Sequence, residues 1–201
     1  MDTIYRCTFG RDEWETADWL ALQSPRWPQL GAWLQGEDHI ENRVPADATI
    51  AEMEDDRAGE TYASMLYREP LEALRARAEL AFAERMAPLI VLAAEPGLNE
   101  AGHPEYREHV EVVLFDGGIN VWHHRWSPKK GPSWTKVAHR TFVAKAGRRY
   151  VLAVTRLGPA LRVHLEQHLL DVELALPRRL YAGITGCEGR NRFYAFSLDR
   201  A

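Results

Sequence analysis

The sequence predicts an all-β fold, a sandwich or barrel of many short antiparallel strands. Runs of alternating apolar and polar residues recur along the chain, and Gly, Pro and Asp separate them at regular spacing. A hairpin signal, Asp116-Gly117-Gly118, stands between two such runs near the middle of the sequence. No repeat, low-complexity tract or linker interrupts the pattern, so residues 1–201 are predicted to form a single domain.

The N-terminal third carries short strand patterns among loops. Residues 4–9 alternate and predict a first strand, whereas residues 12–41 mix four Trp residues with Pro and Gly and predict short strands joined by loops. We interpret these Trp residues as an apolar cover, because packing is the commoner use of Trp. The next elements are predicted to be strands and one acidic turn, in the order strand 39–44, strand 48–53, turn 54–60 and strand 61–68.

In residues 71–86, amino-acid propensity and hydrophobic pattern predict different secondary structures. The stretch is rich in Ala, Leu, Glu and Arg, which favour a helix. However, every second residue from Ala76 to Phe82 is apolar, an alternation typical of a strand. We interpret the stretch as extended and bent near Pro88, ahead of an apolar run at residues 89–92.

The rest of the chain is strand-like. A loop is predicted at residues 95–105, a hairpin at 109–126, a polar loop at 127–133 and a Gly-flanked loop at 186–192. Further strands are predicted at residues 134–142, 148–156, 160–165, 168–174, 180–185 and 193–198.

The hairpin at residues 109–126 has one apolar and one mixed face. With Gly117 and Gly118 as the turn, Glu111 lies opposite His124, and a shift of two residues preserves the faces. The face predicted to be core holds Val110, Val112, Leu114, Ile119 and Val121. The other face holds His109, Glu111, Asn120, Trp122, His124 and Trp126 beside Val113 and Phe115. A core rarely accepts so many polar groups, so this face predicts a lined, partly wet surface.

Composition limits the partners. The net charge of −4 argues against general nucleic-acid binding, which requires a basic surface. No apolar run approaches the ~20 residues of a membrane span, and the N-terminus shows no secretion signal. We therefore expect no nucleic-acid or membrane partner and a cytoplasmic location. Cys7 and Cys187 are expected to be reduced thiols, with a single bridge as the alternative.

Three segments carry a family resemblance: residues 106–126, 149–172 and 182–198. They resemble the concanavalin A-like lectin/glucanase superfamily, in particular its bacterial members of uncharacterised activity. The 161–172 hairpin is similar to a strand–turn–strand element of that superfamily, with Glu166-Gln167-His168 replacing the usual Asp-Gly turn. The resemblance covers the last half to two-thirds of the chain. It implies a jelly-roll sandwich of two antiparallel sheets whose concave face can hold a sugar chain.

The mixed hairpin face contains residue types that a sugar site requires. Trp rings stack on pyranose rings, and His, Asn and Glu hydrogen-bond hydroxyl groups. We therefore predict that ligand is bound by His109, Asn120, Trp122 and Trp126. Glu111 and His124 form a candidate acid/base pair, whose alternative is a structural hydrogen bond. In the 186–192 loop, Arg190 and Arg192 are candidate contacts for an acidic sugar.

Other chemistries have weaker support. Glucanases of the superfamily carry Glu-x-Asp-x-Glu or Glu-x-Asp-x-x-Glu on one strand, and the nearest match, Glu54, Asp56 and Glu60, departs from that spacing inside a predicted turn.

Adjacent His123 and His124 point to opposite faces of a strand, and the sequence offers no evident third ligand for His109 and His124. No Asp/Asn-rich loop suggests calcium. We predict no metal site and no cofactor.

Three functions remain open from the sequence. The first is a non-catalytic, lectin-like protein that binds an oligosaccharide or polysaccharide. The second is a polysaccharide-active hydrolase or lyase that uses Glu111 and His124. The third is a structural or oligomerising domain whose Trp-rich face meets another chain. The sequence leaves open the choice among them, the identity of the sugar and the oligomeric state.

Overall fold

A computed structural model describes residues 2–127 and 129–201; Met1 and Pro128, the latter within the predicted 127–133 loop, lie outside the described residues. Strands make up 54% of the structure and helices 6%. A short 3-10 helix at Thr16–Asp18 precedes the second strand. The other elements of the first third are β1 (Thr3–Thr8), β2 (Trp19–Ala21), β3 (Trp33–Gln35), β4 (Ile40–Asn42), α1 (Ile50–Met53), α2 (Ala58–Thr61) and β5 (Ala63–Tyr67).

Strands alone form the remaining regular structure of the described residues. In chain order they are β6 (Arg75–Phe82), β7 (Met86–Ala93), β8 (Gly97–Leu98), β9 (Pro104–Glu105), β10 (Glu108–Phe115), β11 (Gly118–Ser127), β12 (Gly131–Thr141), β13 (Tyr150–Leu157), β14 (Ala160–Leu165), β15 (His168–Glu173), β16 (Tyr181–Gly186) and β17 (Asn191–Asp199).

Two antiparallel sheets pack face to face as a jelly-roll sandwich, which confirms the predicted fold class. The eight-stranded sheet has the order β15-β14-β13-β6-β17-β4-β3, with β1 also paired to β17. The seven-stranded sheet has the order β12-β11-β10-β7-β16-β5-β2. Apolar side chains from both sheets fill the space between them, and this burial is the main source of stability. No helix among the described residues is long and apolar enough to cross a membrane.

The alternating pattern correctly predicts an extended conformation within residues 71–86. Strand β6 runs from Arg75 to Phe82, and its alternate apolar residues, including Ala76 and Leu80, face the core. Strong tertiary packing therefore overrides the helical propensity of this stretch. The predicted loop at residues 95–105 contains the short β8–β9 pair.

The strand predicted at residues 48–53 is wrong, because this segment contains α1. The side chain of Thr49 accepts a hydrogen bond from the backbone N–H of Glu52, and the Glu52 carboxylate accepts one from the N–H of Thr49. This reciprocal capping box begins a helix that the β-branched residues alone did not suggest.

The turn of the central hairpin also differs from the prediction. Asp116 and Gly117 form the two-residue turn, so that Glu111 pairs with Trp122 and His109 pairs with His124. This register differs by two residues from the predicted one, and both faces therefore keep their members. All of the predicted core-face residues are buried between the sheets.

A second apolar cluster covers part of the outer face of the seven-stranded sheet. Leu22 and Tyr106 are buried there against strands β5, β7 and β16, and Trp27 packs on the same cluster. The other N-terminal Trp residues, Trp14, Trp19 and Trp33, pack on the core between the sheets. The interpretation of these residues as an apolar cover is therefore confirmed.

Candidate functional site

A cleft of about 390 Å³ opens on this outer face beside the second cluster, with which it shares residues of β7 and β10. Its floor is the mixed face of the β10–β11 hairpin. From β10 and β11 it takes Glu111, Val113, Phe115, Asn120, Trp122 and His124. The neighbouring strands β7 and β12 add Met86, Ala87, Leu89 and Trp134, and loops add Arg26, Arg85, Cys187 and Glu188.

At one end of the floor, His109, Glu111 and His124 form a buried cluster. Nε2 of His109 lies 3.3 Å from Oε1 of Glu111, and Nε2 of His124 lies 3.1 Å from Oε2. The two imidazole rings stack with centroids 4.6 Å apart, because the strands place them directly opposite each other. The ring of Tyr106 also contacts His109, with centroids 4.2 Å apart and the two planes tilted by 31°.

The charges in this cluster are strongly coupled. Burial by itself would raise the pKa of Glu111, but His124 and His109 outweigh burial and hold that pKa well below its ordinary value. Burial lowers the pKa of His109, and the hydrogen bond with Glu111 offsets only part of this shift. Glu111 is therefore an ionised carboxylate at neutral pH, held against a ring that resists protonation.

Two Trp side chains face the cleft together with cations. The ring of Trp134 is 47% exposed, and the guanidinium of Arg26 lies 4.5 Å from its centroid. The amino group of Lys136 lies 5.2 Å from the centroid of the half-buried Trp122. These rings supply flat apolar surfaces, and Asn120 and Arg26 supply polar groups beside them.

The loop between β16 and β17 brings a second carboxyl group to the cleft. Burial and the nearby charge of Glu111 raise the pKa of Glu188 to about 7, and Arg26 offsets only part of this effect. The neighbouring thiol of Cys187 is buried, which raises its pKa well above the ordinary value. Such a thiol remains protonated and is a poor nucleophile.

Other predicted site residues lie away from the main cleft. Trp126 stacks under the guanidinium of Arg107 at 4.1 Å and lines a small adjoining pocket, to which His109 also contributes. Arg192 and Arg190 face Glu41 of β4, at 3.1 and 3.8 Å between nitrogen and oxygen. The structure therefore brings together Glu111, Asn120, Trp122 and His124 at the main cleft, and it leaves the two arginines outside.

Glu54, Glu60 and His123, which the sequence analysis also considered, have structural partners. Glu54 pairs with Arg85 and Glu60 with Arg57, so the acidic segment does not form a catalytic strand. His123 points away from His124, as predicted, and its Nε2 lies 2.8 Å from Oε1 of Glu108.

Sequence reasoning missed Arg26, Trp134 and Glu188 as members of the site. Trp134 lies on β12, directly opposite His124 of β11. The alternating pattern of that strand could have predicted that Trp134 shares a face with the site. Arg26 and Glu188 belong to loops far apart in the sequence. The strand order of the sheet brings these two loops to the same cleft, and local sequence patterns do not reveal that order.

Comparisons with known proteins identify the fold. No protein-family model matches the sequence, and no curated protein matches it. Among solved structures, the carbohydrate-binding module CBM66 from Bacillus subtilis is similar, with a TM-score of 0.59 and 10% identity over 90% of this chain and 95% of that chain. The VIP36 exoplasmic/lumenal domain, in a Ca²⁺/Man3GlcNAc-bound form, has a TM-score of 0.61 and 11% identity over 100% of this chain and 91% of that one.

A glycoside hydrolase family 16 endo-glucanase from Bacteroides ovatus is similar as well. Its TM-score is 0.60 and its identity 7%, over 98% of this chain and 100% of that one. The fold is a concanavalin A-like jelly roll. This result confirms the resemblance predicted from the sequence, and identities this low establish the fold alone.

Proposed function

We propose that this protein binds a short oligosaccharide in the cleft on its seven-stranded sheet. The observation that carries the proposal is the joint placement of Trp122, Trp134, Asn120 and Glu111 around one open cleft. Flat rings next to directional hydrogen-bonding groups suit a ligand that has apolar ring faces and hydroxyl edges. The similar structures support the proposal, since they include a carbohydrate-binding module and a mannose-containing lectin-domain complex.

The test is a glycan array followed by calorimetry on the captured sugar. Trp122→Ala removes a stacking surface and should weaken binding by about 1 kcal/mol or more. Trp134→Ala should do the same at little cost in folding stability, because nearly half of that residue is exposed. Both variants should bind the sugar more weakly and remain folded.

Val112→Ala is the matched control on the opposite face of the same sheet. Val112 is fully buried in the core, so the substitution should lower the free energy of unfolding by about 1 kcal/mol or more and leave sugar affinity unchanged. If no sugar is retained and Trp122→Ala lowers stability as Val112→Ala does, the face serves packing and the proposal fails.

A second candidate function, saccharide hydrolysis, is favoured by the two carboxyl groups. Glu111 is held ionised, whereas Glu188 has a pKa of about 7 and is often protonated near neutrality. Carboxyl groups whose pKa values are pushed apart are typical of a glycosidase acid and its partner. In this candidate Glu188 is the acid, and Glu111, with His124, is the partner.

Reducing-end and unsaturated-uronate assays on any sugar that binds will separate the two functions. An enzyme should lose turnover in both Glu188→Gln and Glu111→Gln while still retaining the sugar, because Gln keeps the shape but cannot exchange the proton. A wild-type protein that binds sugar and releases no new ends would be a binding protein only.

A further inference from the structure

The His109, Glu111 and His124 cluster has the composition and geometry of a metal site. One ligand atom from each residue can be chosen so that all lie within 4.8 Å of one another. His109 and Glu111 are two residues apart on β10, and His124 lies opposite His109 on β11. Adjacent strands hold the three groups more rigidly than loops could.

An unsatisfied buried nitrogen is a second, independent observation. Nε2 of His124 makes no hydrogen bond with residues 2–127 or 129–201, although the side chain is only 10% exposed. It lies 3.1 Å from Oε2 of Glu111, but the angle does not suit a hydrogen bond. A buried polar atom without a hydrogen-bond partner costs free energy, so this nitrogen is available to a ligand that the described residues do not supply.

The ligand set also favours a cation at this point. Nε2 of His109 and Nε2 of His124 lie 3.3 and 3.1 Å from the two carboxylate oxygens of Glu111, so the three side chains converge on one place. Imidazole nitrogens and a carboxylate oxygen are electron-pair donors that divalent metal ions accept in proteins.

We infer that His109, Glu111 and His124 bind a divalent transition-metal ion, with Zn²⁺ as the metal of choice. Two imidazole nitrogens and one carboxylate oxygen suit Zn²⁺, whereas Mg²⁺ and Ca²⁺ prefer oxygen-only sites. Ligand atoms of a tetrahedral zinc ion lie about 3.3 Å apart, given metal–ligand bonds of about 2.0–2.2 Å. Two nitrogen–oxygen distances in the cluster, 3.3 and 3.1 Å, are already close to that value.

The fourth coordination position faces the cleft. Glu111 and His124 both line it, while His109 lies behind them against Tyr106. Three protein ligands with one open position are typical of zinc sites that bind water or a ligand rather than sites that only stabilise a fold. The sequence provides no evident third ligand for His109 and His124, and the structure provides it in Glu111. This inference does not depend on saccharide binding.

The test uses the full chain, freed of metal by dialysis against a chelator, and the metal ion alone. Calorimetry with Zn²⁺ should show one ion bound per chain, and Zn²⁺ should raise the melting temperature. Titration with Co²⁺ should give the intense visible absorption of a low-coordinate site with nitrogen ligands. Glu111→Gln and His124→Gln should each weaken binding at least about tenfold.

His123→Gln is the matched control. His123 is the sequence neighbour of His124 and equally buried, but it points to the other face and pairs with Glu108. Its replacement should leave Zn²⁺ affinity unchanged. The inference is overturned if the wild-type protein binds no ion, if Glu111→Gln and His124→Gln bind as well as wild type, or if His123→Gln loses affinity equally. Should His124→Gln not fold, the wild-type Co²⁺ spectrum decides: a weak, octahedral spectrum excludes this site.

Discussion

Glu188 occupies a loop between β16 and β17 in a left-handed backbone conformation, with φ of +55°. Its backbone N–H donates a hydrogen bond of 2.8 Å to Oγ1 of the buried Thr61, which fixes the loop and directs the side chain to the cleft. Because the carboxyl group is mostly buried near Glu111, its ionised form is disfavoured. The folded state therefore retains a proton that the unfolded chain releases.

This retention predicts a pH-dependent stability. Between the ordinary pKa of 4.5 and the folded value of about 7, the folded protein binds more protons at Glu188, so stability falls as the pH rises. Glu188→Gln should raise the free energy of unfolding by about 1–3 kcal/mol at pH 8 and change it little at pH 4. Urea unfolding at both pH values measures the difference, and the exposed Glu100→Gln should show no such dependence. An equal effect at both pH values would contradict the argument.

The residues of the candidate site were predictable to different degrees. Asn120, Trp122 and Glu111 share a face because alternation in a hairpin fixes parity, and a two-residue error in register does not change parity. The register itself depends on which turn residues accept the required backbone angles, and Asp116 with Gly117 competes closely with Gly117 and Gly118. As a result, the direct pairing of His109 with His124 appeared only in the structure.

At the scale of elements, the first residue of β11, Gly118, lies where only glycine fits. Its φ is +138°, and an added Cβ atom would lie 2.0 Å from the backbone oxygen of Arg140 on the neighbouring β12. The glycine therefore permits both an unusual backbone angle and a close approach of two strands.

Gly118→Ala should consequently lower the free energy of unfolding by about 3 kcal/mol or more, because strain and a clash with backbone are combined. Gly147 provides a matched control, since its φ is also positive, at +72°, but nothing lies within 4 Å of an added Cβ atom. Gly147→Ala should cost only about 1–2 kcal/mol of strain. Denaturant unfolding of both variants measures the two costs, and similar losses would show that the contact with Arg140 relaxes freely.

Two other elements show where sequence patterns succeed and fail. Strand β6 was predictable because it lies inside its sheet and the core between the sheets buries every second residue of it completely, which makes the alternation a strong constraint. Helix α1 was not, because it is only four residues long and buries Met53 alone. For so short an element the pattern carries little information, and local capping by Thr49 and Glu52 decides the conformation.

At the scale of the whole molecule, the outer face of the seven-stranded sheet is divided in two. Residues 22–31 and Tyr106 cover strands β5 and β16, where the Tyr106 hydroxyl lies 2.5 Å from Oγ of Ser64, itself 2.6 Å from Oγ1 of Thr185. The cleft occupies the other part, over β7, β10, β11 and β12. The cover approaches the backbone next to β5 closely, since an added Cβ atom on Gly31 would lie 1.7 Å from the backbone oxygen of Tyr62.

This division predicts that the proposed site recognises short saccharides. A cleft of about 390 Å³ that is bounded on one side by a buried cover suits a single small ligand better than a long chain laid across the sheet. In a series of oligosaccharides of the bound type, affinity should rise up to a disaccharide or trisaccharide and then stay constant, because further units make no new contacts. Calorimetry across the series measures this, and Trp134→Ala should lower affinity by the same factor at every length from the plateau onward. An affinity that continues to rise to the hexasaccharide would show that residues 22–31 move aside to expose a longer groove.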